Sequence, residues 1–297
     1  MLERWAPNDG NVMLRAGANR EGAGEYGEAF SDYLAAADAL KATSKDQRYA
    51  DVALKAGRVL ERQGDAKTAF AFYASFADTY APGDAARQFC AEYGAAKLAK
   101  DAGAKSRIPL EQIPAAYARL SSRDRDKPCA KAAVAAAAFA NVEADYQAAM
   151  AIKLTGGEKE AAQKLTKKIE RVDAVQKRYT QVLAMGEGTW GIAALYRIGT
   201  LYQNLSKAMF DSRCPKRLDE DECSAYTQAL SDRAFQLEER AIEAFDKAMN
   251  KAYELGLYDE WLARSQEALK SYEPQRFPPP VARPQAEDSA LVPRGAS

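Results

Sequence analysis

The chain reads as all-α, about eleven antiparallel helices stacked side by side as a solenoid, with no convincing strand. Three observations lead there. Apolar residues recur at helical spacing between turns rich in Gly, Pro and Asp. Small residues paired with aromatics return at similar intervals along the chain. A composition of 47% hydrophobic and 28% charged residues, rich in Ala, suits a thin helical stack better than a globule with one deep core.

The clearest unit is a 34-residue helix-turn-helix from Gly10 to Thr43. Ala16, Gly17, Ala29 and Ala36 are small where two helices must touch, and Tyr26 and Tyr33 are spaced to fill the gap between them. Gly57, Gly64, Ala69, Tyr73 and Ala77 repeat the pattern, and Gly94 is a third small anchor. Gly17 to Gly57 and Gly57 to Gly94 are separations of 40 and 37 residues, so these units carry lengthened helices or turns. Further on, Ala194 to Tyr202 reads as another first helix with Gly199 and Tyr202 at its anchor places, and Ala241, Phe245 and Ala248 repeat the second-helix spacing. Gly256, Tyr258, Ala268 and Leu269, followed by Pro274, read as a last turn and helix. One hairpin cannot bury its apolar face alone, so neighbours must stack.

These residues resemble the tetratricopeptide repeat, in which small residues recur at the eighth and twentieth places and aromatics at the eleventh, seventeenth and twenty-fourth. Gly17, Tyr26, Ala29, Tyr33 and Ala36 fall on such places, while Phe76 stands where the family prefers Ala. The resemblance spans most of residues 10–274 and is poorest from about 104 to 188. It implies a right-handed superhelical solenoid, divided into N-terminal repeats over 1–126, a long helical hairpin over 127–187, C-terminal repeats over 188–274 and a Pro-rich tail over 275–297.

Between the clear repeats, Pro82-Gly83-Asp84 ends one helix and caps the next, and Pro109 and Pro114 keep the following helix short. Lys127 to Leu154 then runs unbroken with Pro128 at its start, a helix of roughly 40 Å that Gly156-Gly157 ends. Glu158 to Met185 answers it. Lys164, Lys167, Lys168, Arg171, Lys177 and Arg178 interleave there with Glu160, Glu170 and Asp173, which reads as a solvated face carrying helix-surface ion pairs.

Lys plus Arg and Asp plus Glu are 42 each, so no net field concentrates nucleic acid or an anionic membrane, and no nucleic-acid partner is expected. The longest apolar run, Ala132 to Ala140, is far short of the roughly 20 residues that span a bilayer. Met1 opens no signal-peptide pattern, and the start reads as a cut point in a longer or secreted precursor. Leu291-Val292-Pro293-Arg294-Gly295 looks like a thrombin site from a purification tag, which sets residues 287–297 outside the fold.

Four cysteines are an even count. Cys214 and Cys223 bracket the polar segment Pro215 to Glu222, which reads either as a loop closed by a disulfide in an oxidising compartment or as two free thiols on neighbouring helix ends. Cys90 and Cys129 lie in small-residue helical surroundings where a free cysteine behaves as a small hydrophobe, and their pairing is left open.

The chain has no histidine, which removes the commonest general base, the Ser-His-Asp arrangement and every His-based metal site. The cysteines lack zinc spacing, and Asp219-Glu220-Asp221-Glu222 lacks the alternating ligands and Gly turn of a calcium loop. Gly22-Ala23-Gly24-Glu25-Tyr26-Gly27 satisfies GxGxxG, but it follows a helix rather than the strand that dinucleotide binding needs. No catalytic residue, metal or cofactor is expected.

In stacked repeats of this family the first helices line a concave groove through their second, fifth, ninth, twelfth and thirteenth places. These are Asp51, Leu54, Arg58, Glu61 and Arg62 in the second unit and Ala193, Tyr196, Thr200, Gln203 and Asn204 around Gly199. Arg58, Arg62, Tyr196, Gln203 and Asn204 are the candidate contacts for a protein partner; the alternatives are that they merely face solvent, or that the paired helices over 127–187 carry the binding surface. Chaperone-tail binders of the family place Lys and Asn where Leu14 and Ala18 stand here, a departure from that class.

Ala252 to Trp261, with Tyr272-Glu273-Pro274 and Phe277-Pro278, resembles the C-terminal repeats of envelope-associated proteins of gliding myxobacteria. That resemblance implies a periplasmic, non-enzymatic scaffold for the proteins of a motility or envelope complex. A cytosolic peptide-binding adaptor is the second expectation.

Overall fold

Helices start in this chain where a side chain can hold backbone amides, and stop where glycine can take a left-handed conformation. The computed structural model describes residues 9–43 and 48–276. Asp9, Asp65 and Asp84 cap α1 (Gly10–Ala23), α4 (Ala66–Tyr80) and α5 (Ala85–Leu98) by accepting from amides of the first turn. Gly24, at φ 81°, ends α1 and opens α2 (Tyr26–Thr43). The remaining helix of this half is α3 (Arg48–Gln63).

The Pro-containing segment that follows supplies a short 3-10 turn and two short helices, α6 (Ile113–Ala118) and α7 (Ser122–Arg125). After them come α8 (Pro128–Met150), α9 (Glu158–Ala184), α10 (Gly188–Phe210), α11 (Glu220–Leu255) and α12 (Glu260–Tyr272). Among the described residues there are twelve α-helices and no strand, one helix more than expected because the segment around Pro109 and Pro114 splits. The helix expected to reach Leu154 ends at Met150, about 35 Å long. Met1, the tail beyond Arg276 with Phe277 and Pro278, and the thrombin-like site lie outside the described residues.

Helices pack on their sequence neighbours, and each clear hairpin is closed by the same device. A Cβ on Gly17 would come within 2.9 Å of the Tyr33 ring, one on Gly57 within 2.6 Å of Tyr73, and one on Gly199 within 2.5 Å of Phe245. Ala29, Ala69 and Ala241 are wholly buried beside these rings, and Tyr202 packs against the second core. Gly94 serves the preceding hairpin instead of its own: its Cβ would also meet Tyr73, at 2.7 Å, so that ring is held between glycines of α3 and α5.

Two apolar cores result, and α8 belongs to both. Ala130, Ala133, Val134 and Ala137 lie in the core built by α2 to α5, while Phe139, Val142, Tyr146 and Ala149 lie in the core built with α9 to α12. While α9 belongs to the second core alone, the first helix of the long hairpin is therefore the joint between the stacks. Its alanine run suits this place, because small side chains let a helix be approached closely from more than one direction.

Replacing Gly57 or Gly199 by Leu is expected to cost about 1–3 kcal/mol each, since the new side chain enters a crossing already filled by an aromatic ring. Gly27→Ala is the contrast: its Cβ would meet nothing nearer than Gln63 Nε2 at 3.6 Å, and the helix gains about 1 kcal/mol of propensity. Denaturant midpoints measure all three. Unchanged midpoints for both leucine variants would contradict the crossings.

Candidate functional site

The candidate contacts lie on α3 and α10, and the interior polar groups decide which side chains are left free. Tyr33 donates its hydroxyl to Glu21 Oε2 at 2.7 Å, and Tyr73 repeats the bond to Glu61 Oε1 at 2.7 Å. Each carboxylate then reaches the next first helix: Glu21 receives Arg62 Nη1 at 2.6 Å and Lys55 at 3.4 Å, and Glu61 pairs with Lys97. Burial alone would raise the Glu21 carboxyl, but the Tyr33 hydroxyl and the two cations outweigh it and hold it below the usual carboxylate range. Burial first, and the facing carboxylates second, push the Tyr33 and Tyr73 phenols well above their ordinary value.

Of the candidate contacts, Arg58 is exposed with no ion pair among the described residues, and Arg62 is exposed although it bridges to Glu21. The Tyr196 ring is half-buried, 5.7 Å from Phe245 and 5.8 Å from Trp261. Gln203 is half-buried, and Asn204 Oδ1 accepts from Lys168. The five fall in two groups: α3, with Arg58 and Arg62, packs on α2, α4 and α5, and α10, with the other three, on α8, α9, α11 and α12.

Three places expected to be free of packing are not. Leu54, Ala193 and Thr200 are buried, because the neighbouring helices close over the first helix farther than the strict repeat spacing implies. Thr200 Oγ1 lies 3.1 Å from the Tyr146 hydroxyl.

Charged residues that periodicity did not single out sit inside the second stack. Arg197 grips Glu143 with two bonds, Nε to Oε1 at 3.0 Å and Nη2 to Oε2 at 2.7 Å, and Tyr179 donates to the same carboxylate. The guanidinium carbon lies 4.5 Å from the Tyr146 ring centre and 5.5 Å from that of Trp261, so a cation is boxed by aromatic faces. Glu143 and Arg197 are 54 residues apart, a separation to which no local pattern points.

Lys168 corrects the reading of α9 as a solvated face. It is 1% exposed and donates to the carbonyls of Ala149 at 3.3 Å and Ile152 at 2.9 Å and to Asn204. The ammonium thus closes the carbonyl-rich end of α8 onto α10. Burial pulls its pKa below the ordinary value. The outer face keeps the expected pairs, Lys164 with Glu160 and Lys177 with Asp173, while Arg171 and Arg178 both reach Asp145 on α8.

Both cysteine pairs are disulfides. Cys214–Cys223 closes the short segment, whose acidic end turns out to be helical: Asp219 caps α11 and Glu222 returns the bond, so the acids complement a helix start. Cys90–Cys129, the pairing left open by the sequence, ties α5 to the first turn of α8 across 39 residues. By the chain-entropy model a loop of that length is worth about 4 kcal/mol. The GxGxxG stretch is the α1–α2 turn, with helix on both sides. Among the described residues no three or more His, Cys, Asp or Glu gather as a metal site, and no helix is long and apolar enough to cross a membrane.

The architecture is thus an all-α, repeat-like stack of helix pairs carrying two disulfides. No protein-family model matches the chain, and no curated protein matches it.

The buried titratable groups set the pH dependence. Tyr33, Tyr73 and Tyr179 have phenols raised above the ordinary 10.0, so the stability they contribute is fully present below pH 10 and is lost as pH rises beyond it. Tyr179→Phe should flatten that alkaline loss. Lys168 has the opposite sign: its folded pKa lies below 10.5, so the unfolded chain holds the proton longer and stability rises with pH up to that value. Melting curves of wild type, Tyr179→Phe and Lys168→Met from pH 7 to pH 12, titration limits chosen to bracket these values, measure both slopes; identical profiles would refute the assignment.

Proposed function

We propose that the chain is a non-enzymatic protein-interaction scaffold, a right-handed superhelical solenoid of the tetratricopeptide type that holds components of a bacterial envelope or gliding-motility complex in the periplasm. The observation that carries the reading is the recurrence of one crossing, glycine against aromatic ring, at Gly17, Gly57 and Gly199. A stack assembled from such hairpins presents a row of first helices, and solenoids bind through the surface that row creates. The two disulfides support an oxidising compartment over the cytosolic adaptor alternative. Free thiols in protein taken from its native compartment would reverse that preference.

The partner is a protein segment lying along the groove, with Arg58, Arg62, Tyr196, Gln203 and Asn204 as contacts. Arg58 and Arg62 are the most available, both being exposed, and arginine and tyrosine are enriched among side chains whose truncation costs about 2 kcal/mol or more of binding. Tyr196 can offer only the uncovered part of its ring, since Phe245 and Trp261 flank it.

The test recovers the partner from native envelope extracts with wild-type chain, with Arg58→Ala/Arg62→Ala and with Tyr196→Ala, after unchanged melting shows that the arginine variant is folded. Loss of the partner from the arginine variant is expected. Full retention by every folded variant would rule out the groove and turn attention to the paired helices over 127–187.

A further inference from the structure

α11 is much longer than the helix it pairs with. Three contacts fix their antiparallel register: Gly188 against Leu255, Gly199 against Phe245, and the Phe210 ring 5.1 Å from that of Phe235. The whole of α10 is therefore matched by the part of α11 from about 234 onward. Glu220–Arg233, fourteen residues by the numbering, runs past the end of α10 as an overhang of about 21 Å.

That overhang has little to hold it. Ala234 is the first buried residue of α11; of the fourteen, Cys223, Tyr226, Leu230 and Ser231 are partly covered and the other ten are exposed. The packing of α11 is on α10 and α12, and α12 is matched to the later part of α11, where Arg276 pairs with Asp246 and Gln266 with Tyr253. Because the helix is already nucleated beyond Ala234, each overhang residue adds only the near-neutral propagation step, so without tertiary burial such an extension is marginal in water. Two features act at its tip: the capping box of Asp219 and Glu222, and the Cys214–Cys223 disulfide, which ties the first turn of α11 to the strand of chain that leaves α10.

We propose that the overhang is a redox-gated helix: with Cys214–Cys223 oxidised, residues 220–233 are helical, and on reduction they fray back to Ala234 while the stack stays folded. A dithiol reductant does this by exchange. One of its thiolates attacks a sulfur of the pair and displaces the other as thiolate, and its second thiolate closes the reductant's own disulfide and releases the first sulfur. The protein takes up two electrons and two protons as two thiols, and the reductant is oxidised by the same amount. Access favours this pair over the other, since both Cys214 and Cys223 are partly exposed, whereas of the other pair only Cys129 is and Cys90 is buried in the first core. The consequence is a surface helix present only under oxidising conditions.

Hydrogen exchange read by peptide separates this from a merely decorative bond. In the oxidised wild-type chain, amides of 224–233 are expected to be protected. In Cys214→Ser/Cys223→Ser, without any reductant, their protection should fall at least about tenfold, with 234–255 unchanged. Wild type treated with a dithiol should give the same pattern. Protection of 224–233 that is equal in the double variant and the oxidised wild type would overturn the proposal. So would a loss spread evenly through 234–255, or an overhang already unprotected when oxidised.

Discussion

The structure depends on one helix being able to serve two cores. α8 gives its first half to the stack of α2 to α5 and its second half to the stack of α9 to α12, with Ala137 on one side of the division and Phe139 on the other. Its ends are fastened differently. The Cys90–Cys129 disulfide holds the first turn to α5, and Lys168 holds the last carbonyls to α9 and α10. Between them Glu143 anchors Arg197 of α10, so a salt bridge shielded by aromatic rings aligns the second stack on the same helix. The pair is partly buried, and Tyr179 also donates to Glu143, so the link does not rest on Arg197 alone.

Around that joint, the hairpins share a single rule. A glycine in the first helix makes room for a ring from the second, and in the first two units the tyrosine hydroxyl finds a glutamate four residues beyond the glycine. The carboxylate then meets a cation of the following first helix, so each ring that closes a hairpin also helps to seat its neighbour. At Gly199 the ring is Phe245, with no hydroxyl to satisfy, and the polar link moves to Glu143 and Arg197.

What could be read from the sequence follows from this rule. Gly17 with Tyr33 and Gly57 with Tyr73 are local, 16 residues apart, and Gly199 with Phe245, although 46 apart, has both members on recognisable repeat places. The all-α class and the cap at Asp84 were legible for the same reason. Long-range pairing was not: Glu143 with Arg197, Lys168 with Asn204 and Cys90 with Cys129 join residues on helices whose adjacency is a tertiary fact. Lys168 was misread because its neighbours in sequence are solvated charges. The candidate contact places were overcounted in turn, since Leu54, Ala193 and Thr200 are covered by neighbouring helices.

If α8 makes the two stacks one folding unit, they must lose structure together. Hydrogen exchange across a denaturant series, followed in peptides from α3 and from α10, measures this most directly. A shared opening free energy and a shared dependence on denaturant are expected for the most protected amides of both helices. Separate transitions, with α10 retaining protection after α3 has lost it or the reverse, would contradict the account.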